Sequence, residues 1–173
     1  MAEQRWESKL VQALDAIGRR GFAFAFQMLG NRDDALDAVQ SSLTSIWQGR
    51  ERIDPNRDLK PWFYRVLRNR CIDMMRSGRL RRSATLEREP SDAASSDPSQ
   101  DASRAEELAR LRRELERLAE DMREIIMLRD YNDLSYAEIA EVLEVPKGTV
   151  MSRLHRARSA LRERMLASES DHE

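Results

Sequence analysis

Apolar residues recur at helical spacing along most of the chain, and strict alternation is rare. The spacing predicts amphipathic helices that begin near Trp6, Asp33, Pro61 and Leu108. The stretch around Phe22–Phe26 alternates as a strand would, but its interleaved alanines and helical neighbours favour a buried helix. Glycine and proline are few. We therefore predict an all-α fold.

Glycine, asparagine and proline residues mark the predicted ends and starts of these helices. Gly30-Asn31 is expected to end the first helical stretch, and Gly49 to end the second. The helix opened by Pro61 should run to about Arg79, and Arg70 falls inside its apolar stripe, so we expect Arg70 to pair with a carboxylate of the same domain. The apolar residues of the second helix that should face the core are Leu36, Val39, Leu43, Ile46 and Trp47.

Residues 134–161 predict two short helices joined by a tight turn. Ser135 and Glu138 have the spacing of a capping box, and Pro146 is suited to the first turn of a second helix. That helix has an apolar stripe formed by Val150, Leu154, Ala157 and Leu161. Its remaining surface is basic, which is typical of a helix-turn-helix whose second helix enters a DNA major groove. An ordinary helical hairpin with a solvated basic face is the alternative.

Charge is nearly balanced overall, with 30 basic and 31 acidic residues, but it is unevenly distributed. Residues 50–82 hold eleven bases and four acids, and residues 151–166 hold five bases and one acid. Residues 83–122 between them hold six bases and eleven acids. Two basic patches that flank an acidic segment indicate nucleic-acid binding.

Several kinds of chemistry find no support in the sequence. A single cysteine, Cys71, allows no intramolecular disulfide, and with only two histidines a Cys/His zinc site is not expected. The first residues lack a signal-peptide core, and the longest apolar run is too short to span a bilayer, so we expect a soluble cytoplasmic protein without membrane insertion. Without a phosphate-binding glycine loop, metal cluster or Ser/His/Asp arrangement, the protein should bind rather than catalyse, and no cofactor is expected.

Residues 83–103 are rich in Ser, Asp, Ala and Pro and have no periodicity, which is typical of a disordered linker. The predicted organisation is a helical domain over residues 1–82, a flexible acidic linker over 83–103 and a second helical domain over 104–173 with a short disordered tail. Such a linker would let the two domains bind separated DNA elements.

Two segments carry a family resemblance. The segment PKGTVMSRLHRARSALRE, preceded by LSYAEIAEVL, resembles the C-terminal region of the extracytoplasmic-function (ECF) sigma factors of bacterial RNA polymerase. A second segment, NRDDALDAVQSSLTSIW followed by DPNRDLKPWFYRVLRNRCIDMMRSGRLRR, is similar to their N-terminal domain. The two matches cover residues 16–82 and 115–164, in the right order. The resemblance implies a region 2 bundle, a region 4 helix-turn-helix, and a protein that directs polymerase core to −35 and −10 promoter elements and assists strand opening.

The resemblance also implies three binding surfaces. The residues matched to −35 DNA are Lys147, Thr149, Met151, Ser152, Arg153, His155, Arg156 and Arg158. Those matched to the −10 element are Asn56, Trp62, Arg65, Arg68, Asn69 and Arg76. Those matched to the core polymerase surface are Asp34, Asp37, Gln40, Ser41 and Thr44. The implied partners are the β and β′ subunits of the polymerase core, promoter DNA and an anti-sigma factor.

The sequence departs from the family pattern at Ser41, where Glu is usual, and at Met151, where a basic or polar residue is common. Within the −35 set, Lys147, Arg153 and Arg158 are better placed for phosphates than for bases. Two other functions compete with the sigma-factor interpretation. A stand-alone helix-turn-helix repressor would need a dimer interface or ligand pocket, and a helical adaptor would leave the two basic patches without a role.

Overall fold

The computed structural model describes residues 2–54, 58–82 and 102–170, and the described residues form seven α-helices and no strand. The α-helices are Ala2–Leu29 (α1), Arg32–Gln48 (α2), Leu59–Arg82 (α3), Ala102–Glu116 (α4), Glu120–Ile126 (α5), Tyr136–Leu143 (α6) and Lys147–Ser170 (α7). A 3₁₀ turn over Arg50–Arg52 follows α2, and a π-helical turn over Met127–Tyr131 follows α5. The predicted all-α fold is confirmed.

Helices α1, α2 and α3 form an N-terminal bundle in which each helix packs against the other two. Its centre is aromatic: Phe24 and Phe63 each meet the ring of Tyr64 edge-on, with centroids 5.7 and 5.2 Å apart. All three rings are buried. The stretch that contains Phe24 is helical and continuous with the rest of α1, as predicted, so its alternation reflects a helix covered on more than one side.

The ends of α2 and α3 follow local chemistry. The side-chain oxygen of Asn31 caps α2, because it accepts hydrogen bonds from the amides of Asp33 and Asp34 at 2.8 and 3.0 Å. Gly49 ends α2, as predicted, through a hydrogen bond from its amide to the Ser45 carbonyl. Asp58 accepts from the amide of Lys60 at 2.9 Å, so α3 begins two residues before the predicted Pro61.

Helices α4, α5 and α6 all pack against α7 and form the C-terminal group. Ile125, Leu128, Ile139 and Leu154 lie at its centre and are almost fully buried. Helix α4 enters this core at its C-terminal end, where Leu115 is buried, whereas Leu108 remains 46% exposed.

The two groups are in contact. Helix α6 packs on α3, and α5 packs on α1. At the centre of this contact the Tyr64 hydroxyl donates to the Asn132 side-chain oxygen at 2.5 Å, and the Asn132 amide donates to the Met127 carbonyl at 2.8 Å. Asn132 is fully buried, so its side chain is held by partners from both groups.

One side-chain expectation is wrong. Arg70 lies exposed on α3, and no carboxylate among the described residues pairs with it. Arg68, two residues earlier, binds Glu124 of α5 across the contact. The predicted linker falls outside the described residues except for Ala102 and Ser103, which begin α4, and the last three residues of the predicted tail also fall outside them.

Two glycines of α1 set how closely its neighbours approach. A Cβ atom at Gly21 would lie 2.6 Å from the ring of Phe63 and 3.1 Å from Leu67, both fully buried on α3. At Gly18 the nearest atom is a Leu43 methyl carbon at 3.3 Å. A side chain at position 21 would therefore force a rearrangement of the α1–α3 contact.

We predict that Gly21→Ala destabilises the protein relative to Gly18→Ala by at least about 1 kcal/mol. Both variants gain about 1 kcal/mol of helix propensity, but only Gly21→Ala overpacks a buried ring, which typically costs about 1–3 kcal/mol. Urea unfolding of the two variants and the parent measures the difference. Equal stability of the two variants would contradict the close approach of α1 and α3.

Candidate nucleic-acid interface

Helices α6 and α7 form the predicted helix-turn-helix. Ser135 caps α6 through the predicted capping box: its hydroxyl accepts from the Glu138 amide at 3.2 Å, and its amide donates to the Glu138 carboxylate at 2.6 Å. Glu144 then turns the chain with a left-handed backbone, φ 55°. The Pro146 carbonyl accepts hydrogen bonds from the amides of Thr149 and Val150 in the first turn of the second helix, which begins within one residue of the predicted position.

The buried side of α7 orients the rest of the helix. Val150, Leu154 and Ala157 are buried as predicted, and Leu161 is half-buried. The opposite side is open to solvent. Its exposed members among the −35 candidates are Lys147, Met151, Ser152, His155, Arg156 and Arg158, whereas Thr149 and Arg153 are half-buried.

Four of these residues form one continuous open face. Met151 and His155 are one turn apart, as are Ser152 and Arg156, so the pairs lie side by side on the helix. Met151 is 52% exposed and gives this face an apolar side chain. No acid among the described residues pairs with Arg156. This face offers an apolar contact, a hydroxyl, an imidazole and a guanidinium to a partner.

Arg158 differs from Arg156, because both ends of its guanidinium bind the carboxylate of Asp130 in the π-helical turn. The pair is exposed and ties α7 to the segment that precedes α6. To contact a phosphate, Arg158 would have to break its ion pair with Asp130 or bind both groups at once. The sequence did not predict this pairing, because the two residues are distant along the chain.

The −10 candidates lie on α3 and before it. Arg65, Asn69 and Arg76 are exposed, Trp62 and Arg68 are half-buried, and Asn56 lies outside the described residues. The exposed three share one side of α3. Two arginines of this set already have acidic partners from the C-terminal group: Arg65 pairs with Glu144, and the Arg68 Nε lies 2.6 Å from the Glu124 carboxylate.

Beside this face lies a cavity of about 230 Å³. Trp62 and Arg65 form part of its wall, and Glu141 of α6 lines it from the C-terminal group. The other residues that line it are Ile53, Asp54, Asp58, Leu59 and Pro61. A flat aromatic ring, a guanidinium and carboxylates together can stack on and hydrogen-bond a planar polar group.

The core polymerase candidates share the outer face of α2. Asp34, Asp37, Gln40 and Thr44 are exposed and Ser41 is half-buried. The Ser41 and Thr44 hydroxyls donate to carbonyls of their own helix, at 3.2 and 2.8 Å. The face is therefore polar and open.

Leu36 adds an apolar residue to this face and corrects a prediction. The sequence pattern assigned Leu36 to the core, but it is 47% exposed, whereas its neighbours Ala35 and Ala38 are fully buried. Leu36 lies one turn before Gln40 on the edge of the polar face. Its exposure makes it a candidate contact that sequence reasoning missed. The two small residues beside it were the available signal.

The described residues show no metal site, reactive cysteine or membrane-spanning helix beside these surfaces. The described residues include no cluster of His, Cys, Asp or Glu able to hold a metal ion. Cys71 is fully buried, and burial raises the pKa of its thiol to about 12, so it is not a reactive thiolate at neutral pH. None of the helices in the described ranges has the length and apolar character needed to cross a membrane.

Two protein-family models match the chain, one over each helical group. The family model for Sigma-70 region 2 matches residues 14–81, and that for Sigma-70, region 4 matches residues 108–161. The ECF sigma factor SigL of Mycobacterium tuberculosis is 33% identical over 90% of this chain and 89% of its own. SigW of Bacillus subtilis is 29% identical over 83% and 82%. SigE of Mycolicibacterium smegmatis is 31% identical over 96% of this chain, which spans 63% of SigE.

Two solved structures share the fold. The sigma factor RpoE, solved with the anti-sigma factor NepR from Bartonella quintana, aligns with a TM-score of 0.76 and 28% identity over 94% of this chain and 97% of its own. CnrH, solved with the cytosolic domain of CnrY, aligns with a TM-score of 0.68 and 25% identity over 93% and 90%.

One chain combines a helix-turn-helix, whose second helix has a solvent-exposed face, with a basic helical bundle. This combination is typical of a DNA-binding transcription protein. The region 2 and region 4 matches, together with the relatives above 30% identity, specify the kind: the chain belongs to the extracytoplasmic-function family of RNA polymerase sigma factors. Members of this family direct RNA polymerase to promoters and initiate transcription.

We predict that Ser135→Ala lowers the free energy of unfolding by about 0.5–2 kcal/mol, because it removes the acceptor that caps α6. Ser159→Ala is the matched control, since Ser159 is exposed in the interior of α7. Thermal or urea unfolding measures both. A loss no larger than that of the control would show that the capping box does not stabilise the helix-turn-helix.

The capping carboxylate predicts a pH dependence. Burial opposes ionisation of Glu138, but its hydrogen bonds with Ser135 and the charges of Lys60 and Arg129 outweigh burial and lower its pKa. A lowered folded pKa means that ionised Glu138 stabilises the fold above its unfolded pKa and that this contribution is lost as pH falls through the folded pKa. Glu138→Gln should therefore be less stable than the parent at pH 7, with the difference closing as pH falls through the folded pKa. A pH-independent difference would contradict this assignment.

Proposed function

We propose that α7 recognises the −35 element and that its open face makes the base contacts. The observation that carries this proposal is the continuous exposed face of Met151, Ser152, His155 and Arg156 above a buried apolar stripe. Arg can bind guanine with two hydrogen bonds, and the Met151 side chain suits a thymine methyl group. Lys147, Thr149, Arg153 and Arg158 are proposed to contact phosphates around this face.

The −10 element is assigned to α3 and the loop before it. The exposed guanidinium and amide groups of Arg65, Asn69 and Arg76 supply a track for a nucleic-acid backbone, with Arg68 beside them. The cavity next to Trp62 has the size and donor set for an unpaired base, and Asn56 belongs to the same loop in sequence. Capture of an unpaired base there would assist strand opening.

The outer face of α2 is assigned to binding of the polymerase core, through its β′ subunit. The chain is also proposed to contact the β subunit. Support comes from the polar, open character of Asp34, Asp37, Gln40, Ser41 and Thr44 and from the exposed Leu36 beside them. An apolar residue flanked by polar groups is typical of a protein-binding surface. Ser41 offers a hydroxyl where the family usually has a carboxylate, so Leu36 and Asp37 should carry more of this contact.

The remaining assignments follow from this role. The protein binds and positions, while nucleotidyl transfer belongs to the polymerase, so no enzymatic activity and no cofactor are proposed. Its place of action is the cytoplasm, where the polymerase works. The division at residues 82 and 104 fits the two family matches. An anti-sigma factor is proposed as a regulator, by analogy with the RpoE–NepR complex.

A stand-alone repressor is not favoured, because it would leave the match to Sigma-70 region 2 and the open face of α2 without a role. The two functions differ in one measurement. A sigma factor gains specific promoter binding when core polymerase is added, and it then starts transcription. A repressor would bind its operator tightly without core.

We predict that Arg156→Ala weakens holoenzyme binding to the preferred promoter by about 1–3 kcal/mol and relaxes preference at one −35 base. Arg162→Ala removes the same charge from an exposed position further along α7 and should affect all sequences alike. Footprinting on single-base promoter variants separates the two. Equal, sequence-independent losses would contradict base recognition by Arg156.

Replacing the α2 face should weaken binding to core while leaving the fold intact. We predict that the combined change of Leu36, Asp37 and Gln40 to Ala reduces affinity for core polymerase at least tenfold, or about 1.4 kcal/mol. Gln12→Ala, at an exposed position of α1, is the control. Unchanged core affinity, with run-off transcription at the parent level, would place the polymerase contact elsewhere.

A further inference from the structure

The methionines of the chain differ in their access to solvent. Met28 and Met127 are buried, with 6% and 3% of their surface exposed. The half-buried methionines are Met74, Met75, Met122 and Met165. Met151 is 52% exposed, and it is the one exposed methionine among the described residues. A dissolved oxidant therefore reaches the sulfur of Met151 more readily than that of any other described methionine.

The helical register turns this side chain away from the core. Val150, one residue before Met151, and Leu154, three residues after it, are almost fully buried. Ser152 and His155 lie beside Met151 on the surface and are both exposed. The accessible methionine thus belongs to the face of α7 that is proposed to contact the −35 bases.

The single cysteine of the chain does not compete with Met151 for an oxidant. Cys71 is fully buried in α3, and burial raises the pKa of its thiol to about 12. Oxidation of cysteine starts from an accessible thiolate, and Cys71 is neither accessible nor ionised at neutral pH. A peroxide that acts on the folded protein therefore finds its most accessible sulfur in Met151.

Oxidation changes the polarity of a methionine without changing its charge. The thioether sulfur attacks one oxygen of a peroxide, so an S–O bond forms and the O–O bond breaks. The sulfur loses two electrons, and the proton on the transferred oxygen passes to the leaving hydroxide, which departs as water. The sulfoxide that results is polar, and its oxygen accepts hydrogen bonds, whereas the thioether is apolar and a weak acceptor. Sulfoxide reductases reverse the change.

The thioether and the sulfoxide suit different bases. In the major groove thymine presents a C5-methyl group and the O4 acceptor, whereas adenine and cytosine each present an amino group that donates. An apolar thioether suits the methyl group. A sulfoxide oxygen would repel O4 and accept a hydrogen bond from an amino group. Oxidation therefore replaces one base preference with another and does more than remove a contact.

We propose that Met151 is a site of reversible oxidation by peroxides, and that its sulfoxide shifts the preference of α7 at one −35 base from thymine to adenine or cytosine. This proposal rests on the proposed role of α7 in −35 recognition. It makes promoter choice by the holoenzyme depend on the peroxide concentration. The change acts on the difference between two affinities, which is what sets specificity.

The site of oxidation is tested with hydrogen peroxide on the full chain, followed by mass spectrometry of its peptides. Met151 should gain an oxygen atom at least about tenfold faster than the buried Met127. In the holoenzyme, addition of the preferred promoter should slow oxidation of Met151, because DNA then covers this face, while Met165 further along α7 serves as the internal reference. Oxidation of Met151 no faster than that of Met127 would overturn the proposal.

The consequence is tested by binding the holoenzyme to promoters that differ at single −35 bases. Peroxide treatment of the parent should weaken binding to the thymine promoter at least about threefold relative to the adenine or cytosine promoter. Met151→Leu has no sulfur at this position, so its base preference should be the same before and after treatment. Met165→Leu is the matched control on the same helix and should respond as the parent does. Methionine sulfoxide reductases should restore the original preference of the parent, with circular dichroism as the check of the fold.

The outcomes separate the oxidation site from the role of α7. If Arg156→Ala relaxes preference at a −35 base, yet peroxide leaves the preference of the parent unchanged or weakens all promoters equally, the oxidation proposal is wrong and the role of α7 stands. If Arg156→Ala causes no base-specific loss and promoter DNA does not slow oxidation of Met151, the role of α7 fails and the oxidation proposal fails with it. A shift in preference that Met151→Leu abolishes and the reductases reverse supports both.

Discussion

Helix α3 must satisfy three different surroundings at once, and the rest of the structure depends on how it does so. One side carries Phe63, Leu67 and Cys71 into the N-terminal bundle, where all three are fully buried. A second side presents Tyr64 and Arg68 to the C-terminal group. The third carries exposed Arg65, Asn69 and Arg76. A helix can present three different surfaces only if each surface takes about one residue per turn. Few positions of α3 can therefore be substituted without disturbing one of the three.

Local structure was largely predictable because its causes are local. The capping box of Ser135 and Glu138, the stop at Gly49 and the buried stripe of α7 each follow from residues a few positions apart. The same short-range logic failed where helices meet. Leu36 looked like a core residue by its spacing, but small alanines took the positions at the bundle interface.

Long-range pairing was not predictable for a physical reason. The partner of Arg68 is 56 residues away in sequence, and that of Tyr64 is 68 residues away. Periodicity states which side of a helix a residue occupies, but not which of 31 acids will face it. Periodicity also placed Arg70 rather than Arg68 in the buried position, because it assumes that only one side of the helix is buried. Contact with a second domain gives α3 another inward side that a single chain pattern cannot reveal.

The near-neutral charge of the chain acquires a physical meaning from these contacts. A protein with basic helices on both domains would bind any DNA if its cations were free, because non-specific affinity grows with the number of phosphates neutralised. Here Arg65, Arg68 and Arg158 each face a carboxylate of the chain itself, whereas Arg156 pairs with no acid among the described residues. General attraction is thereby reduced while the face able to distinguish bases stays exposed. Specificity is a difference between two affinities, and lowering the non-specific one raises it as effectively as adding a base contact.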